Sequence, residues 1–243
     1  MAKKLKIALI GYGKMGKMIE EVALLKGHKI ACIIDLDSTE EDWKKLAMAD
    51  VAIEFTQPNV AVQNIYKCFE YNLPVAVGTT GWYKEIDAVV NVCVDKKQTL
   101  FTATNFSIGV NLFFHLSKQL AKTMEYLPEY NIEIEETHHT QKIDAPSGTA
   151  ITVAEGIIEN IKRKDDWVLN ENQVINENEI PISAIRLNDV PGIHIVSYRS
   201  AIDDIEIKHT AHSRAGFAQG AVIAAEWVAG KKGYFTMSDI LGF

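Results

Sequence analysis

The chain has 243 residues and a formal net charge of −7 at pH 7, with acidic and basic residues interspersed. This length allows one large domain or two small ones, and the absence of a basic face excludes a general nucleic-acid binder. No apolar run has the length of a membrane span or a signal peptide, and Cys32, Cys68 and Cys93 form no Cys-x-x-Cys motif, so we expect a cytoplasmic protein with free buried thiols and no membrane partner.

The chain begins with the pattern of a dinucleotide-binding unit. An apolar run at 6–10 predicts a buried parallel strand, 18–25 predicts a helix, and 29–34 predicts a second strand that ends at Asp35. The first strand joins the helix through Gly11-Tyr12-Gly13-Lys14-Met15-Gly16. A lone G-x-G-x-x-G turn is weak evidence, but this strand, helix and acidic residue together predict a Rossmann-type domain.

The three glycines of this turn have separate expected roles. Gly11 permits the tight turn, Gly13 lets a pyrophosphate approach the backbone, and Gly16 allows the helix and the strand to pack closely. The alternative is a glycine-rich turn of no function. Because every neighbouring element of the motif is present, we interpret the turn as a cofactor site.

Asp35 indicates which cofactor is used. A carboxylate at the end of the second strand accepts hydrogen bonds from ribose hydroxyls and repels a 2′-phosphate. The next residue is Leu36 and not the arginine that would accommodate that phosphate. The sequence therefore favours NADH. Lys14, in the turn itself, could offer a cation to a phosphate, so the use of NADPH stays open.

Apolar runs at 51–55, 74–77 and 99–103 predict the remaining strands of the parallel sheet. The last two lead into Gly78-Thr79-Thr80-Gly81 and Thr104-Asn105-Phe106-Ser107. Turns at the carboxyl ends of parallel strands line the ligand crevice of such a sheet. The glycines would let the backbone approach a flat ring, and the threonines offer hydroxyls. A simple loop is the alternative for the Gly-Thr-Thr-Gly turn.

From Ile108 onward the pattern is that of a second domain with a mixed or antiparallel sheet. We predict helices at 111–124, 150–161 and 217–229, strands at 131–135, 183–187, 192–200 and 204–210, and an exposed polar excursion at 162–179. The fold class is therefore α/β, with a Rossmann-type parallel sheet and a smaller α+β domain. We expect a dinucleotide-binding domain at 1–107, a substrate-binding and oligomerisation domain at 108–212, and a C-terminal helix within 213–243 that returns to the first domain.

The loop between the 131–135 strand and the 150–161 helix has the features of an anion site. Ser147 is expected to cap the helix, which leaves the backbone N–H groups of Gly148 and Thr149 unpaired at its first turn. Such N–H groups favour a carboxylate or a phosphate. Lys142 adds a positive charge to the same loop. A cap without a ligand is the alternative.

The same loop carries the adjacent pair His138-His139, whose side chains titrate near neutral pH. Such a pair is most often a surface or packing feature. Neighbours on a strand point to opposite faces, and no cysteine or further histidine lies at metal-ligand spacing. We therefore expect no metal ion at this loop.

The chain resembles the dihydrodipicolinate reductases, also called 4-hydroxy-tetrahydrodipicolinate reductases, over most of its length. The resemblance is carried by Glu133-x-Glu135-x-x-His138-His139-x-x-Lys142-x-Asp144-Ala145-Pro146-Ser147-Gly148-Thr149-Ala150, by Gly78-Thr79-Thr80-Gly81, by Asn105-Phe106-Ser107-x-Gly109-Val110-Asn111 and by Ser213-Arg214. It implies reduction of a cyclic unsaturated dicarboxylate with NADH or NADPH, on the diaminopimelate route to lysine. It also implies a homotetramer that associates through the substrate domain.

The chain departs from the family pattern at two places. The turn from Gly11 to Lys14 is one residue shorter than the common form, which tends to carry arginine where Lys14 stands. Gln141 replaces a histidine that some relatives carry. Both departures bear on the choice between NADH and NADPH and leave the reaction class unchanged.

The resemblance also implies roles for individual residues. His138 would donate the proton, with Lys142 as its partner. The substrate carboxylates would be bound by His139, Lys142, Gly148, Thr149 and Thr80. The cofactor would be contacted by Gly11, Gly13, Lys14, Met15, Gly16, Asp35, Gly78, Thr79, Thr80, Asn105 and Phe106. Chemistry agrees, because hydride addition builds negative charge beside a dianion, and cations, N–H dipoles and a histidine acid suit that task.

Two other functions fit parts of the sequence. A different Rossmann dehydrogenase, acting on a small amino or keto acid, would keep the glycine turn without needing the 138–149 loop. A nucleotide-sensing regulator without catalysis would tolerate the loss of His138 or Lys142. Both residues are present, which favours the reductase. Glu133 and Glu135 are expected to pair with cations or face water.

Overall fold

The computed structural model describes residues 3–171 and 174–243. Its strands are β1 (Lys6–Ile10), β2 (Lys29–Ile34), β3 (Val51–Glu54), β4 (Val75–Val77), β5 (Thr99–Thr102), β6 (Asn131–His138), β7 (Asp166–Leu169), β8 (Glu179–Arg186), β9 (Gly192–Arg199), β10 (Asp204–Ala211) and β11 (Gly233–Phe235). Its helices are α1 (Lys14–Leu25), α2 (Glu40–Trp43), α3 (Pro58–Glu70), α4 (Ile86–Asp95), α5 (Ile108–Met124), α6 (Gly148–Ile158), α7 (Ala215–Val228) and α8 (Met237–Leu241). Short 3₁₀ helices span Lys44–Met48 and Tyr83–Glu85. The elements form two compact units.

Unit 1 comprises the chain up to Ile108 together with Ala215–Phe243. Its six strands form a parallel sheet in the order β11-β5-β4-β3-β1-β2. Apolar residues of α1 and α7 pack on one face of this sheet, and those of α3 and α4 pack on the other. Burial on both faces explains why these strands read as continuous apolar runs, and it confirms the predicted Rossmann-type parallel sheet.

Several details of unit 1 differ from the sequence prediction. Helix α1 begins at Lys14 and not at residue 18, because Gly13 is its N-cap. The edge strand β11 was not predicted, since three residues, one of them exposed, give too short a pattern. The predicted 217–229 helix is α7. Cys32, Cys68 and Cys93 are buried free thiols, as expected.

Unit 2, Gly109–Arg214, contains a five-stranded mixed sheet in the order β10-β9-β6-β8-β7. Strand β6 is antiparallel to β9 and parallel to β8. Apolar residues of α5 and α6 cover one face. The other face carries polar residues, among them Arg199, whose guanidinium lies 3.3 Å from Glu133. The expectation that Glu133 pairs with a cation is confirmed.

The prediction for 162–179 is wrong in part. Asp166–Leu169 forms strand β7, which pairs in parallel with β8, and β8 begins at Glu179 instead of residue 183. Trp167, Val168 and Leu169 are half-buried at the edge of the sheet. Polar residues surround them in the sequence, so the strand gives no clear apolar pattern. Residues 172 and 173 of this excursion lie outside the described residues. No helix in the described ranges is both long and apolar enough to cross a membrane.

Candidate active site

The glycine turn of unit 1 has the backbone geometry that its motif demands. Gly11 has φ +92°, and a Cβ atom there would lie 2.1 Å from the carbonyl oxygen of Phe55. Its N–H donates to the carbonyl oxygen of Ile34, which ties the turn to β2. A Cβ atom on Gly16 would lie 2.3 Å from the Gly11 carbonyl oxygen, whereas one on Gly13 would meet nothing within 4 Å. Packing therefore requires glycine at Gly11 and Gly16, and only a ligand would require it at Gly13.

The first turn of α1 fits a phosphate group. Its N-cap makes no side-chain hydrogen bond, so the N–H groups of the turn are not covered by a cap. Lys14 is exposed at the first helical position, and Met15 is half-buried against the core. Asp35 is exposed directly after β2, followed by Leu36 with 88% of its surface exposed. This arrangement is compatible with the dinucleotide site that the sequence predicts.

The turn after β4 is partly committed to internal contacts. The Thr79 hydroxyl accepts a hydrogen bond from the Thr56 N–H at 2.7 Å, and its carbonyl accepts one from the Trp82 indole N–H at 2.9 Å. Thr79 is buried and Thr80 is exposed. Thr79 therefore holds two turns of the crevice together, while Thr80 is exposed.

Aromatic packing fixes the neighbouring turns of the crevice. A Cβ atom on Gly78 would lie 2.0 Å from the ring of Phe55. The rings of Phe55 and Phe106 are 5.5 Å apart, and Phe106 belongs to the buried core of unit 1. The Asn105 side chain accepts a hydrogen bond from the Ser107 N–H at 2.9 Å. The Phe106 side chain is thus a packing residue, and any cofactor contact it makes must involve its backbone.

A buried carboxyl group in the same crevice escaped the sequence analysis. Glu54, the last residue of β3, is fully buried, and its Oε1 accepts hydrogen bonds from Thr56 and from Asn64. Its Oε2 is buried without a hydrogen-bond partner. Burial raises the pKa of Glu54, although hydrogen bonds from Thr56, Thr79 and Asn64 act in the opposite direction. An acidic residue inside an apolar strand was the available signal.

Replacement of Glu54 with Gln is expected to stabilise the protein at pH 8 by about 1–3 kcal/mol, because it removes a buried negative charge that is only partly satisfied by hydrogen bonds. The native pKa is raised, so the native state loses stability as pH rises through the window above the unfolded value. The gain should shrink towards pH 4, where the carboxyl is protonated in both states. Thermal unfolding at the two pH values measures it, with the exposed Glu21→Gln as the control. An equal effect at both pH values would contradict the raised pKa.

In unit 2, the alternation of β6 aims Glu136 and His138 at the same face of the sheet. His138 is the last strand residue and has 7% of its surface exposed. Its Nδ1 is buried and lies 3.5 Å from Oε2 of Glu136. A Cβ atom on Gly192 would lie 3.2 Å from its Nε2, so the glycine makes room for the ring. One ring nitrogen of His138 thus faces Glu136 and the other lies on the side of Gly192.

Three residues that the sequence analysis missed surround His138. Glu136 is fully buried, and its Oε1 lies 3.1 Å from the Arg186 guanidinium. His194 lies opposite Glu136 on β9, and its ring is 5.0 Å from that of His138. Arg186 lies on β8, directly opposite His138 of β6 in the strand register. In the sequence, only Glu136 could have been noticed, as an acidic residue two positions before His138 on the same face of the strand. Arg186 and His194 come near His138 only because distant strands pair with β6.

The pKa of His138 differs from the value that the sequence suggested. Burial lowers the pKa of His138 to about 4, and the positive charges of His194, Lys142 and Arg186 act in the same direction. The negative charge of Glu136 raises the pKa of His138, but this effect is smaller than that of burial. The expectation of titration near neutral pH is therefore wrong for this state of the protein. A dianion beside the ring would raise the pKa again, because negative charge stabilises the imidazolium.

The remaining loop residues are held by polar contacts. The Lys142 ammonium lies 2.8 Å from both oxygens of Asp144, and this contact lowers the pKa of Asp144. His139 is half-buried, and its Nε2 lies 3.5 Å from the guanidinium of Arg214. Lys142 and His139 thus lie within four residues of His138 in the sequence, and Arg214 contacts His139.

The N-terminus of α6 has the predicted cap. The Ser147 hydroxyl accepts a hydrogen bond from the Ala150 N–H at 3.2 Å, which confirms Ser147 as the N-cap. A Cβ atom on Gly148 would meet nothing within 4 Å, and Thr149 is half-buried. The first turn of the helix is therefore open to a carboxylate, which its N–H groups and dipole favour.

The fold also brings together a possible set of metal ligands. Among the described residues, Glu136, His138 and His194 each offer a ligand atom within 4.8 Å of the others. However, the Glu136 carboxylate already contacts the Arg186 guanidinium and the Ser147 N–H. A fixed positive charge at the carboxylate opposes the binding of a cation. We retain the expectation that no metal ion binds.

Comparisons with known proteins agree over both units. Residues 5–106 match the family described as dihydrodipicolinate reductase, N-terminus, and residues 109–241 match its C-terminus. The 4-hydroxy-tetrahydrodipicolinate reductase of Christiangramia forsetii is 48% identical over 97% of this chain and 97% of its own length. That of Methanosarcina mazei is 38% identical over 97% of this chain and 89% of its own length.

Solved structures show the same fold. A dipicolinate-bound dihydrodipicolinate reductase from Paenisporosarcina sp. TG-14 matches with a TM-score of 0.80 at 21% identity, over 98% of this chain and all of that one. An amine dehydrogenase from Mycobacterium smegmatis matches with a TM-score of 0.61 at 10% identity, over 95% and 94% of the two chains. At these identities the likeness concerns the fold alone.

Proposed function

The chain belongs to the dihydrodipicolinate reductase family, and we propose that it converts 4-hydroxy-tetrahydrodipicolinate, NADH or NADPH and a proton into tetrahydrodipicolinate, the oxidised cofactor and water. This places it in the diaminopimelate route to lysine. The observation that carries the proposal is the arrangement in unit 2 of a buried histidine and an open helix N-terminus around one carboxylate. The identity of 48% to a reductase over nearly the whole chain supports the same reaction.

A bound nicotinamide cofactor supplies the hydride. In unit 1, the open first turn of α1 and the bare backbone at Gly13 would bind its pyrophosphate. Asp35 would accept hydrogen bonds from the ribose hydroxyls, and the remaining turns would surround the nicotinamide through Gly78, Thr80 and the backbone of Phe106. Lys14 would offer its charge to the phosphates.

His138 would give a proton to the substrate. Its low pKa in this structure means that it carries little positive charge at neutral pH. A substrate with two carboxylates would raise that pKa on binding, so the ring takes up a proton where it is needed. Nε2, the ring nitrogen that does not face Glu136, would donate it.

The substrate carboxylates would be held by opposite charge and by N–H groups. Lys142 would exchange its contact with the half-exposed Asp144 for one with a carboxylate. The N–H groups of Gly148 and Thr149 would bind the second carboxylate at the start of α6. His139, beside Arg214, and the exposed Thr80 of unit 1 are the further proposed contacts.

A coupled assay tests this function. The protein is mixed with enzymatically generated 4-hydroxy-tetrahydrodipicolinate and NADH, and the absorbance of the reduced cofactor is followed. We expect turnover that depends on both compounds. Small amino and keto acids serve as alternative substrates, and turnover of these alone would indicate a different dehydrogenase. Cofactor binding without turnover of any of them would favour a sensor.

We further propose that the protein acts in the cytoplasm as a homotetramer that associates through unit 2. The family resemblance supports the tetramer, and buried free thiols suit a reducing compartment. The face of the unit 2 sheet opposite α5 and α6 carries Arg199, Glu133 and Glu206, whose charges can pair across a symmetric interface. Light scattering of the purified protein measures the subunit count.

The cofactor preference is expected to follow Asp35. We predict that kcat/KM with NADH at least equals that with NADPH, because the exposed carboxylate repels a 2′-phosphate and Leu36 supplies no cation. Asp35→Asn should raise the ratio of NADPH to NADH use roughly tenfold, about the effect of one charge-assisted hydrogen bond. Steady-state kinetics with both cofactors measure the ratio, with the exposed Asp37→Asn as the control. A strong NADPH preference of the unaltered protein would refute the prediction.

A further inference from the structure

The buried carboxylate of Glu136 has no role in the chemistry described so far. It is fully buried, and the charge of an ion in such a place must be compensated by donors. Burial acts to raise its pKa, but the hydrogen bonds from Ser147 and the neighbouring ring of His194 lower it to about 2. Glu136 is therefore a fixed negative charge at neutral pH.

Its partners come from four separate segments of unit 2. The Ser147 N–H, just before α6, lies 3.1 Å from both carboxylate oxygens. The Arg186 guanidinium of β8 lies 3.1 Å from Oε1. The rings of His138 on β6 and His194 on β9 lie 3.5 Å and 3.7 Å from Oε2. One carboxylate thus connects three strands and the start of a helix.

The contact with His138 determines which ring nitrogen faces the carboxylate. Nδ1 is buried without a hydrogen-bond partner and lies 3.5 Å from Oε2 of Glu136, whereas Nε2 lies on the side of Gly192. A carboxylate next to Nδ1 favours a proton on that nitrogen and stabilises the imidazolium. Nε2 then carries the proton that can be given away.

The contact with Ser147 fixes the anion site. Ser147 caps α6, and its side chain also lies 3.2 Å from Nε2 of His194. Arg186 contacts the carbonyl oxygen of Asp144 at 2.7 Å, so it joins the loop before α6 to Glu136. A shift of the carboxylate would move the proton donor and the first turn of the helix together.

We propose that Glu136 is the positioning residue of the site: its carboxylate holds the imidazole of His138 and the first turn of α6 in one arrangement. The inference rests on the proposed function, in which His138 gives the proton and α6 binds a carboxylate. Arg186 and His194 complete the surroundings of Glu136. The charged and titratable groups that face His138 are Glu136, His194, Arg186 and Lys142.

The first test needs no substrate, and a variant serves only to assign the signals. The ¹⁵N chemical shifts of His138, assigned through their loss in His138→Asn, report which ring nitrogen carries the proton. We expect the Nδ1–H tautomer at neutral pH. A predominant Nε2–H tautomer would overturn the inference. A protein without reductase activity would refute the proposed function and leave this measurement valid, so the two failures can be told apart.

The second test is Glu136→Gln, which keeps the shape and removes the charge. We expect kcat to fall about 10–100-fold, the usual effect of losing such a partner, and the Nδ1–H fraction to fall with it. The dissociation constant of dipicolinate, measured by calorimetry as a probe of the anion site, should rise. Glu136→Asp keeps the charge and should restore part of kcat. The control is Glu135→Gln, on the opposite face of the same strand.

If Glu136→Gln does not fold, we expect the cause to be the Arg186 guanidinium, which would have lost its carboxylate partner. The double variant Glu136→Gln/Arg186→Gln removes both charges, and the same fall in kcat and in the Nδ1–H fraction is expected. Circular dichroism verifies that each variant is folded. A folded variant with unchanged kcat and an unchanged His138 tautomer would overturn the inference.

Discussion

Replacing His138 with Ala is expected to lower kcat by about 10²–10⁴-fold, the usual contribution of a positioned proton donor. The ring lies at the end of β6 with its Nδ1 against Glu136 and its Nε2 beside Gly192. Steady-state kinetics measure kcat, and a fluorescence titration measures the dissociation constant of NADH, which should be unchanged because the glycine turn lies in unit 1.

The pH dependence of the reaction provides a second test of His138 as the proton donor. The ratio kcat/KM reports groups of the free enzyme, whereas kcat reports those of the substrate complex. Since the pKa of His138 is about 4 without substrate, kcat/KM should decline as pH rises above that value. The decline of kcat should begin at higher pH, because the substrate carboxylates raise the pKa. Both declines should be absent from the residual activity of His138→Ala.

Two comparisons make the result specific. Lys142→Ala should also lower kcat and raise KM for the dicarboxylate, since it removes a cation from the loop. His212→Asn, an exposed histidine of unit 2, should leave turnover unchanged. Wild-type turnover in both His138→Ala and Lys142→Ala would remove the roles proposed for them.

Replacing Gly11 with Ala is expected to destabilise the protein by roughly 2–6 kcal/mol. The residue has φ +92°, which strains any side chain, and the new Cβ atom would lie 2.1 Å from a backbone oxygen of Phe55. The Phe55 oxygen belongs to the backbone and cannot turn aside as a flexible side chain could, so the turn between β1 and α1 must move. Denaturant unfolding measures the loss, and NADH binding should weaken with it.

Gly13→Ala is the matched comparison in the same turn. A Cβ atom there meets nothing within 4 Å, and the N-cap has φ −74°, which alanine adopts readily. Stability should change by less than about 1 kcal/mol. The dissociation constant of NADH should nevertheless rise tenfold or more, because the methyl group would lie where the pyrophosphate approaches. Unaltered NADH binding in Gly13→Ala would contradict the proposed cofactor site.

The fold of unit 1 was predictable because its determinants are consecutive in the sequence. Each strand is an apolar run, and the glycine turn follows β1 directly, so periodicity and turn chemistry were sufficient. The N-cap of α6 was predictable for the same reason, because Ser147, Gly148 and Thr149 are consecutive residues. The strand β7 was missed because three half-buried residues in a polar stretch give no local period.

The surroundings of His138 were decided by tertiary structure alone. Arg186 lies 50 residues beyond Glu136 and contacts it only because β6 pairs with β8. His194 reaches the same carboxylate through the register of β6 with β9. Strand register and burial are properties of the whole sheet, so neither the partners of Glu136 nor the lowered pKa of His138 could be obtained from residues in order. The sequence determined which groups are present, and the packed sheet determined which of them meet and how they are charged.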